Sequence, residues 1–457
     1  MVLWRARAVE PRSGDARAAV PDRETESGAD GEPATDPTGE VFTGHTPPDP
    51  RGMVRLLADP VFGPFFFGKL LSTTGIWIHN IMAAILVLEL THSPFAVGLV
   101  TAAQFIPQFF APISGAWADR GDIGRQLILG RVIAGTGSGA LAIWLAIAGA
   151  DGLPGAWPVI AIGFYVGIGF VIGAPAMQAM IPSMVRAGEL PTAIALNTVP
   201  FTAARAAGPA LGALVATSAG PAVAFGIAAA ANLSFALVIL LLRFPRRDPA
   251  SRPKDPSIRA GLAVVRRDRA LLLLLVGITA VGFGGDPAIT LTPPLSQEFG
   301  AGATLVGVFA SAFGIGAAAT VVVMRALRRV PLPVLATTGL WFLGGGGIAV
   351  ALSPGPAMAV VMFGLSGAGL TLSVTAFSTL LQERVADEVR GRIMALWLVA
   401  FIGSRPLAAA LDGALADLFN TRVALTVVGV LVLATALVCR PSRLGAAKVP
   451  ELAAVQT

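Results

Sequence analysis

The sequence has few charged residues, one cysteine and three histidines, and each of these scarcities excludes a class of protein. Charged residues make up 13% of the 457 residues, whereas a soluble domain carries about 25%. The single cysteine, Cys439, excludes an intramolecular disulfide and any cysteine metal cluster. Because His45, His79 and His92 are the only histidines, a histidine-rich metal site is not expected either. The sequence therefore predicts no metal and no cofactor.

Hydrophobic residues are abundant, at 54% of the chain, and the mean hydropathy is +0.74. Many uncharged runs reach the roughly 20 residues that a helix needs to cross a bilayer, which argues against a large soluble enzyme. The net charge of +6 does not indicate nucleic-acid binding, because the arginines lie in short links between apolar runs. We therefore expect an all-α polytopic membrane protein that is not an enzyme, contacts the lipid bilayer and binds no nucleic acid.

Twelve apolar segments are predicted to be transmembrane helices, which we number as spans 1 to 12. They cover roughly residues 64–90, 94–117, 126–149, 155–180, 191–217, 221–243, 270–296, 303–324, 331–352, 356–381, 391–417 and 422–440. The longest polar link, residues 244–269, predicts a central loop between two six-helix bundles, 61–243 and 270–440.

The two ends of the chain are predicted to be tails. Residues 1–60 are rich in Pro, Gly, Asp, Glu and Arg, which favours a disordered tail, and they lack the apolar stretch of a signal peptide. Met53 offers a second start site, so residues 1–52 need not belong to the natural protein. Residues 441–457 are predicted to be a short C-terminal tail.

Basic residues mark one end of the predicted bundle. The links after the even-numbered spans contain Arg120, Arg125, Arg186, the run from Arg243 to Arg269, Arg325, Arg328, Arg329, Arg384, Arg390 and Arg392. The links after the odd-numbered spans contain almost no basic residue, Arg422 being the exception. Basic loops stay in the cytoplasm, so both termini and the central loop are predicted to be cytoplasmic. We call the end of the bundle that carries the even-numbered links the basic face, and the other end the opposite face.

The two halves of the sequence repeat one another. A shift of 200 places Val185, Leu196, Arg205 and Leu211 on Val385, Leu396, Arg405 and Leu411, and a shift of 209 places Val97-Gly98 on Val306-Gly307. Repeats of this kind are typical of transporters whose substrate site lies between the halves near the bilayer midplane.

The link between spans 2 and 3 concentrates charge in the stretch Gly115-Ala116-Trp117-Ala118-Asp119-Arg120-Gly121-Asp122-Ile123-Gly124-Arg125. It resembles the loop between helices 2 and 3 of major facilitator superfamily transporters. The resemblance implies a gate or latch on the cytoplasmic side that is formed by Gly115, Asp119, Arg120, Gly124 and Arg125. Gly115 is expected to let a neighbouring helix approach closely, and Asp119 to pair with an arginine or cap a helix. In the family Gly-Arg follows one residue after Asp-Arg, whereas three residues intervene here.

Span 5 carries a second resemblance. Ala204, Gly208, Gly212 and Ala216 recur every four residues, which places them on one helix face and favours close packing. Gly208-Pro209-Ala210-Leu211-Gly212-Ala213 resembles the Gly-Pro-x-x-Gly-Gly motif in helix 5 of proton-coupled drug exporters, and Pro209 can bend the helix. Two further stretches resemble the branch that includes bacterial enterobactin exporters and macrolide efflux proteins. They are Glu189-Leu190-Pro191 and Val385-Ala386-Asp387-Glu388-Val389-Arg390-Gly391-Arg392. This resemblance covers about residues 60–440.

Four charged or titratable side chains are predicted to lie at one depth within the spans, namely His79, Arg205, Asp286 and Arg405. Each follows the cytoplasmic start of its span by a similar count, which corresponds to roughly 21–24 Å at ~1.5 Å per residue. Asp412 is predicted to lie nearer the opposite face, which leaves Asp286 as the only acid at that depth. A charge there costs at least ~2.5–3.5 kcal/mol and needs a partner or water. We therefore predict that these five residues take part in proton coupling or substrate binding.

Purely structural roles stay open as alternatives for these residues. The arginines could fix helix packing by pairing with carbonyl groups or a carboxylate, and His79 could be a hydrogen-bonded packing residue. Lys69, near the inner end of span 1, is predicted to snorkel to the surface. The arginine that drug exporters often carry in helix 4 has no counterpart in span 4. Ile76 stands where the branch often has an acid.

Neutral polar and aromatic residues are predicted to line the cavity between the halves, namely Trp77, Asn80, Tyr165, Gln178 and Thr375. Such a cavity suits amphipathic organic molecules, and it is a poor match for phosphate, which needs clustered cations. Hydroxyl groups in the spans could equally bond their own helix backbone.

The sequence thus predicts a secondary transporter that exports an amphipathic small molecule, such as a drug, a siderophore or a similar metabolite. Alternating access with proton antiport is expected, and because no nucleotide-binding loop is present ATP is not expected to drive it. The alternatives are an importer or facilitator of a metabolite, or a receptor or scaffold that kept the fold without transport. The expected partners are a small-molecule substrate, protons and lipid, for a monomer in the bacterial inner membrane.

Overall fold

The computed structural model of the protein describes residues 51–186, 188–242, 268–385 and 387–445. The predicted central loop therefore lies outside the described residues, apart from its last two positions, and so do residues 1–50 and 446–457 of the predicted tails. Within the described ranges the chain forms helices and turns. Residues 51–60, which the sequence assigns to a disordered tail, are ordered and include the short helix Met53–Leu57, so that assignment does not hold for these ten residues.

Twelve helical spans in the described part of the chain are long and apolar enough to cross a membrane, which confirms the all-α polytopic prediction. They are span 1 Phe62–Thr91; span 2 Pro94–Phe105 and Ala111–Arg120; span 3 Ile123–Ala148; span 4 Trp157–Ala179; span 5 Leu190–Ala219; span 6 Pro221–Leu241; span 7 Arg269–Gly285, Pro287–Thr290 and Thr292–Glu298; span 8 Ala303–Val323; span 9 Leu332–Ala351; span 10 Pro356–Arg384; span 11 Asp387–Phe401 and Arg405–Leu418; and span 12 Thr421–Val438. Every observed end lies within four residues of the predicted one.

Spans 2, 7 and 11 are broken helices, whereas the sequence predicts that each is one continuous helix. Span 2 narrows to a 3-10 turn at Ile106–Phe110, span 7 breaks at Asp286, and span 11 breaks between Phe401 and Arg405. A proline lies at each break, and proline lacks the N–H that continues the helical ladder. Broken helices are tolerated inside a membrane where they are buried in protein or line a cavity, so the breaks point to the centre of the bundle.

The two halves meet tightly on the opposite-face side of the bundle. Spans 2 and 11 pack so closely that a Cβ atom at Gly98 would overlap the carbonyl oxygen of Ala409, and one at Gly413 would lie 2.8 Å from the carbonyl oxygen of Pro94. Ser93 at the start of span 2 donates a hydrogen bond of 2.8 Å to Asp417 at the end of span 11. Glycine lets backbones approach to this distance, so the contact depends on having no side chain there.

Spans 5 and 8 form the second contact between the halves. A Cβ atom at Gly314 would overlap the carbonyl oxygen of Arg205, and one at Gly307 would lie 3.0 Å from that of Pro209. Because Pro209 disturbs the helical ladder, the N–H of Ala210 is available, and it donates to the hydroxyl of Ser311 at 3.0 Å. Together with the contact between spans 2 and 11, this packing closes the interface of the halves towards the opposite face.

The small-residue face of span 5 packs within its own half. A Cβ atom at Gly208 would lie 2.6 Å from Cβ of Trp77, and one at Gly212 would lie 3.2 Å from Cα of Ile78, so this face receives span 1. Large apolar side chains fill the rest of each half, for example Phe225 and Phe235 in the first and Phe309 and Phe377 in the second.

Arg422, the exception to the predicted charge pattern, is held by neighbouring groups on the opposite face. Its Nε lies 3.4 Å from Oε2 of Glu298, and its Nη1 donates to the carbonyl oxygens of Ala351 and Ser353 at 3.0 and 3.1 Å. The guanidinium group also stacks on Phe299, 5.4 Å from the ring centre. These contacts account for a basic residue at the end of the bundle that otherwise has almost none.

Candidate functional site

A cavity of about 270 Å³ lies between the two halves at the level of the helix breaks. Its aromatic lining is Trp77, Phe105, Phe170, Phe201 and Phe401, and its polar lining is Thr73, Asn80, Gln104, Gln108, Thr202, Thr371, Thr375, Arg205 and Arg405. The contacts between the halves described above close it towards the opposite face. A mostly apolar wall with a few polar groups suits an amphipathic organic molecule.

Three of the five predicted cavity residues line this cavity, namely Trp77, Asn80 and Thr375. Tyr165 does not, because it packs against Gly137 of span 3 and its hydroxyl lies 3.4 Å from that of Thr136. Gln178 accepts a hydrogen bond of 2.8 Å from Asn197 instead of facing the cavity. Hydropathy does not show how a uniformly apolar helix is rotated, so the sequence could not separate these residues from the true lining.

Two arginines face the cavity from equivalent positions of the two halves. Arg205 and Arg405 are 7% and 8% exposed, and Nε of each has no hydrogen-bond partner among the described residues. Cζ of Arg205 lies 5.6 Å from the ring centre of Trp77 and 4.9 Å from that of Phe313, and Cζ of Arg405 lies 4.9 Å from that of Phe105. Two cations therefore face the cavity in addition to the neutral polar groups that the sequence indicated.

Asp286 lies at the break of span 7, next to Arg405. Its Oδ2 accepts a hydrogen bond of 2.6 Å from Thr290, and a Cβ atom at the adjacent Gly285 would lie 3.6 Å from Nη2 of Arg405. Asp286 and Arg405 interact electrostatically. Asp286 and Arg405, which the sequence predicts at one depth, are therefore neighbours in the structure.

Asp412 is the second acid of this site, which corrects the prediction that Asp286 is alone at its depth. Both aspartates are fully buried, and their carboxyl groups are close enough to influence each other's ionisation. Oδ1 of Asp286 and both oxygens of Asp412 lack a hydrogen-bond partner in the described chain. The prediction counted residues along straight helices, whereas both helices that carry these acids are broken.

His79 makes its polar and ring contacts with side chains of the first half and not with the acidic pair. Its Nδ1 lies 3.0 Å from the hydroxyl of Ser138 in span 3, and its ring packs edge-on against Phe225 of span 6 at 5.2 Å. These contacts lie within the first half, and His79 does not line the cavity. The alternative role that the sequence left open, a hydrogen-bonded packing residue, agrees with this geometry.

Two buried cations in the first half have partners that the sequence did not indicate. Lys69 does not snorkel, because its Nζ is buried and donates to the backbone carbonyl oxygen of Asn197 at 2.9 Å as well as to the Asn197 side chain. Arg131, for which the sequence predicts no role, is 1% exposed and donates a hydrogen bond to the hydroxyl of Ser72 at 3.0 Å. The Ser72 hydroxyl in turn donates to Asn232 at 2.8 Å. The signal was available, since Arg131 is the one charged residue in the predicted span 126–149.

The predicted latch lies at the basic face, and neither of its glycines packs closely against another helix. A Cβ atom at Gly115 would meet no atom within 4 Å, contrary to the expectation, and one at Gly124 would meet only Asp122 at 3.2 Å. Arg125 is exposed and pairs with Asp122 at 3.3 Å. The side chains of Asp119 and Arg120 lie outside the described residues. The tight contacts between the halves lie towards the opposite face.

Ion pairs tie the start of the first span of each half to a more distant link. In the first half, Arg51 binds Glu189 through Nε at 2.6 Å and Nη2 at 2.8 Å, and it also pairs with Asp59, which caps span 1. Hydrogen bonds from Arg51 lower the pKa of Glu189 to about 2, and those bonds raise the pKa of Arg51. The two links are thereby fastened together at the basic face.

The second half also has an ion pair at the start of its first span. Asp268, which is 209 residues after Asp59, caps span 7 and binds Nε of Arg384 at 2.8 Å. Burial would raise the pKa of Asp268, but the hydrogen bonds from Arg384 and from the backbone N–H of Ala270 outweigh it and lower the pKa. The capping aspartate therefore recurs in both halves, whereas the arginine that binds it comes from a different position in each.

Comparison with known proteins places these features in a family. Residues 54–456 match a family model described as transmembrane secretion effector. The enterobactin exporter EntS of Citrobacter koseri is 25% identical over 384 residues, covering 82% of this chain and 89% of that protein, and EntS of Salmonella typhimurium is 26% identical with coverage of 82% and 90%.

Solved structures share the fold at lower identity. A bacterial homologue of the human lysosomal transporter Spinster, in an inward-facing and occupied conformation, superposes with a TM-score of 0.68 at 16% identity, covering 83% of this chain and 96% of that one. A D-xylose–proton symporter superposes with a TM-score of 0.63 at 14% identity, with coverage of 83% and 97%.

Proposed function

We propose, from the premise that this chain belongs to the transmembrane secretion effector family of the major facilitator superfamily, that it exports an amphipathic small molecule across the bacterial inner membrane. Export proceeds by alternating access and is driven by proton entry. The observation that carries this proposal is a cavity between repeat-related halves that is closed towards one face and flanked by buried charges. The curated relatives that are named enterobactin exporters favour export, and they favour a siderophore, a drug or a similar metabolite as cargo.

The charges of the bundle support an assignment of its two faces. The arginine-rich links belong on the cytoplasmic side, so the basic face is cytoplasmic and the opposite face is periplasmic. The contacts between spans 2 and 11 and between spans 5 and 8 then close the cavity towards the periplasm. The described conformation is accordingly the one that receives substrate from the cytoplasm.

The acidic pair is the proposed proton site. Two fully buried carboxyl groups with unpaired oxygens cannot both carry a charge at low cost, and Arg405 balances only one of them. The pair therefore carries one proton, on Asp286 or on Asp412. When alternating access changes the exposure of the pair to water, the balance between burial and Arg405 changes, and the proton is taken up or released.

Growth and secretion assays test the export function in the cell. Deletion of the gene should sensitise the cells to the exported compound or lower the amount of secreted siderophore, and overexpression should have the reverse effect. Lower resistance or less secretion on overexpression would instead favour import. If neither strain changes its resistance to a panel of toxic compounds or its secretion of iron chelators, the result would support a receptor or scaffold.

Cysteine labelling tests the orientation. Ser183 and Ser218 are exposed at the basic and opposite faces, so Ser183→Cys should resist an impermeant thiol reagent in intact cells and Ser218→Cys should react. Lysed cells should label both variants. Cys439 is replaced beforehand in each case. Labelling of Ser183→Cys from outside, with protection of Ser218→Cys, would invert the assignment of the faces.

Substitution in the loop between spans 2 and 3 tests the latch. Asp119→Asn should lower transport about tenfold at normal membrane abundance, because coupling between two conformations is typically ~1–3 kcal/mol. Asp122→Asn is the control in the same loop, since Asp122 makes a solvent-exposed pair with Arg125, and it should change transport little. Equal transport by both variants would remove Asp119 from the gate, and loss of the Asp119 variant from the membrane would assign it to folding.

A further inference from the structure

Arg205 and Arg405 are equivalent by the repeat, but only one of them has a carboxylate beside it. Arg405 interacts with Asp286 of its own half. The residue 209 positions before Asp286 is Trp77, and the residue 200 positions before Asp412 is Gly212. The first half thus has the arginine but neither acid: it has an aromatic ring at one position and, at the other, a glycine that packs against span 1.

Arg205 is consequently a buried cation without a counter-ion among the residues that the structure describes. It is 7% exposed, and the repulsion of Arg405 adds to the cost of burying its charge. Trp77 and Phe313 lie against the guanidinium at 5.6 and 4.9 Å and compensate part of that cost. They leave its hydrogen-bond donors unused, and the side chain lines the cavity. An anionic group at this position would satisfy both the charge and the donors.

The rest of the cavity lining indicates what such an anion is attached to. The amides of Gln104 and Asn80 bond each other at 2.6 Å, so part of the neutral polar surface is already satisfied within the protein. Aromatic rings, including Phe170 and Phe201, make up much of the cavity wall. A molecule that is apolar over most of its surface and acidic at one end therefore matches the site.

We propose that Arg205 is the anion-recognition residue of the cavity and that the transported molecule is an amphipathic organic anion. Its acidic group binds the guanidinium of Arg205, and its apolar body packs against the aromatic wall. This inference rests on the proposed transport function and deepens it by naming the class of cargo. Arg405 differs in role because Asp286 already neutralises it.

A matched pair of probes tests the inference without a transport assay. The purified full-length protein in lipid nanodiscs is titrated calorimetrically at neutral pH with 1-naphthoate and with 1-naphthamide, which share a ring system and differ in charge. The anion should bind at least about tenfold more tightly, the usual effect of a hydrogen bond to a charged group. Equal binding of the two probes, or tighter binding of the amide, would overturn the proposal even if no variant could be purified.

Variants then assign the preference to Arg205. Arg205→Gln should reduce the affinity for 1-naphthoate to that for 1-naphthamide, and Arg205→Lys should restore part of the difference. The control Arg422→Gln removes an arginine at the opposite face and should leave the preference unchanged. A residue that only held the helices together would change both affinities equally, so retention of the preference in Arg205→Gln would contradict the assignment. Binding is measured without a gradient, so a failure of the export proposal would show in vesicles and not here.

Discussion

Asp286→Asn should abolish the uphill transport that a pH gradient drives and should spare the exchange of substrate at equal pH. The substitution keeps the shape of the side chain and its contact with Thr290, but it removes the titration. Since the proposed proton site is the pair formed with Asp412, an amide at position 286 removes the neighbouring negative charge that makes the pair hold a proton for exchange. Proteoliposomes with a substrate identified by the growth or secretion assays provide the measurement. The concentration ratio at steady state should fall to about one, as expected when a transporter has lost its energy source.

The control for this prediction is an acid that lies outside the bundle centre. Asp151 is exposed in the link between spans 3 and 4, and Asp151→Asn should concentrate substrate as the natural protein does. Exchange at equal pH distinguishes a coupling defect from a folding defect, because an unfolded variant would lose both activities. If Asp286→Asn still concentrates substrate, the acidic pair is structural and protons enter elsewhere or do not drive transport.

Gly98→Val should trap the protein away from the described conformation. A Cβ atom at Gly98 would already overlap the carbonyl oxygen of Ala409, and the neighbour is backbone, which has little room to move. Overpacking of this kind typically costs ~1–3 kcal/mol, which corresponds to a shift of about 5- to 150-fold in the population of the two states. Spans 2 and 11 should therefore separate at the opposite face, and transport should fall because the cavity no longer closes there.

Spin labels report this separation directly. Ile147 and Leu352 are exposed on different halves at the ends of spans 3 and 9, so cysteines at these positions, with Cys439 replaced, measure the opening of the opposite face. The distance should lengthen in Gly98→Val. It should stay unchanged in Gly345→Val, because a Cβ atom at Gly345 meets nothing within 4 Å. An unaltered distance in Gly98→Val, with transport retained, would show that the close approach of spans 2 and 11 does not control access.

The sequence predicted the spans well because crossing a bilayer constrains length and composition. Span 5 was placed at residues 191–217 and is Leu190–Ala219, and its glycines contact span 1 on the face that their spacing indicated. The alternation of basic and neutral links reflects the free-energy cost of moving charged side chains across the bilayer, and this cost applies to each loop separately. Such local rules need no knowledge of which helices are neighbours.

The partners of buried side chains were predicted less well, because they depend on helix rotation and on breaks. Asp412 was placed too far from Asp286, since residue counting assumes straight helices and both helices break near these acids. Pro287 and Pro406 were visible signals of those breaks. The missing counter-ion of Arg205 could not be read from one half alone. That Arg205 lacks a counter-ion follows only from comparison with Arg405, which has one.

Accumulation of substrate in everted membrane vesicles tests proton-driven export most directly. With the basic face outside and an acidic lumen, vesicles that contain the protein should take up the identified substrate against its gradient. A protonophore should collapse that gradient and release the substrate, and vesicles without the protein should show neither effect. Uptake that persists when the protonophore is present, or substrate that moves out of the lumen as protons leave it, would contradict export by proton antiport.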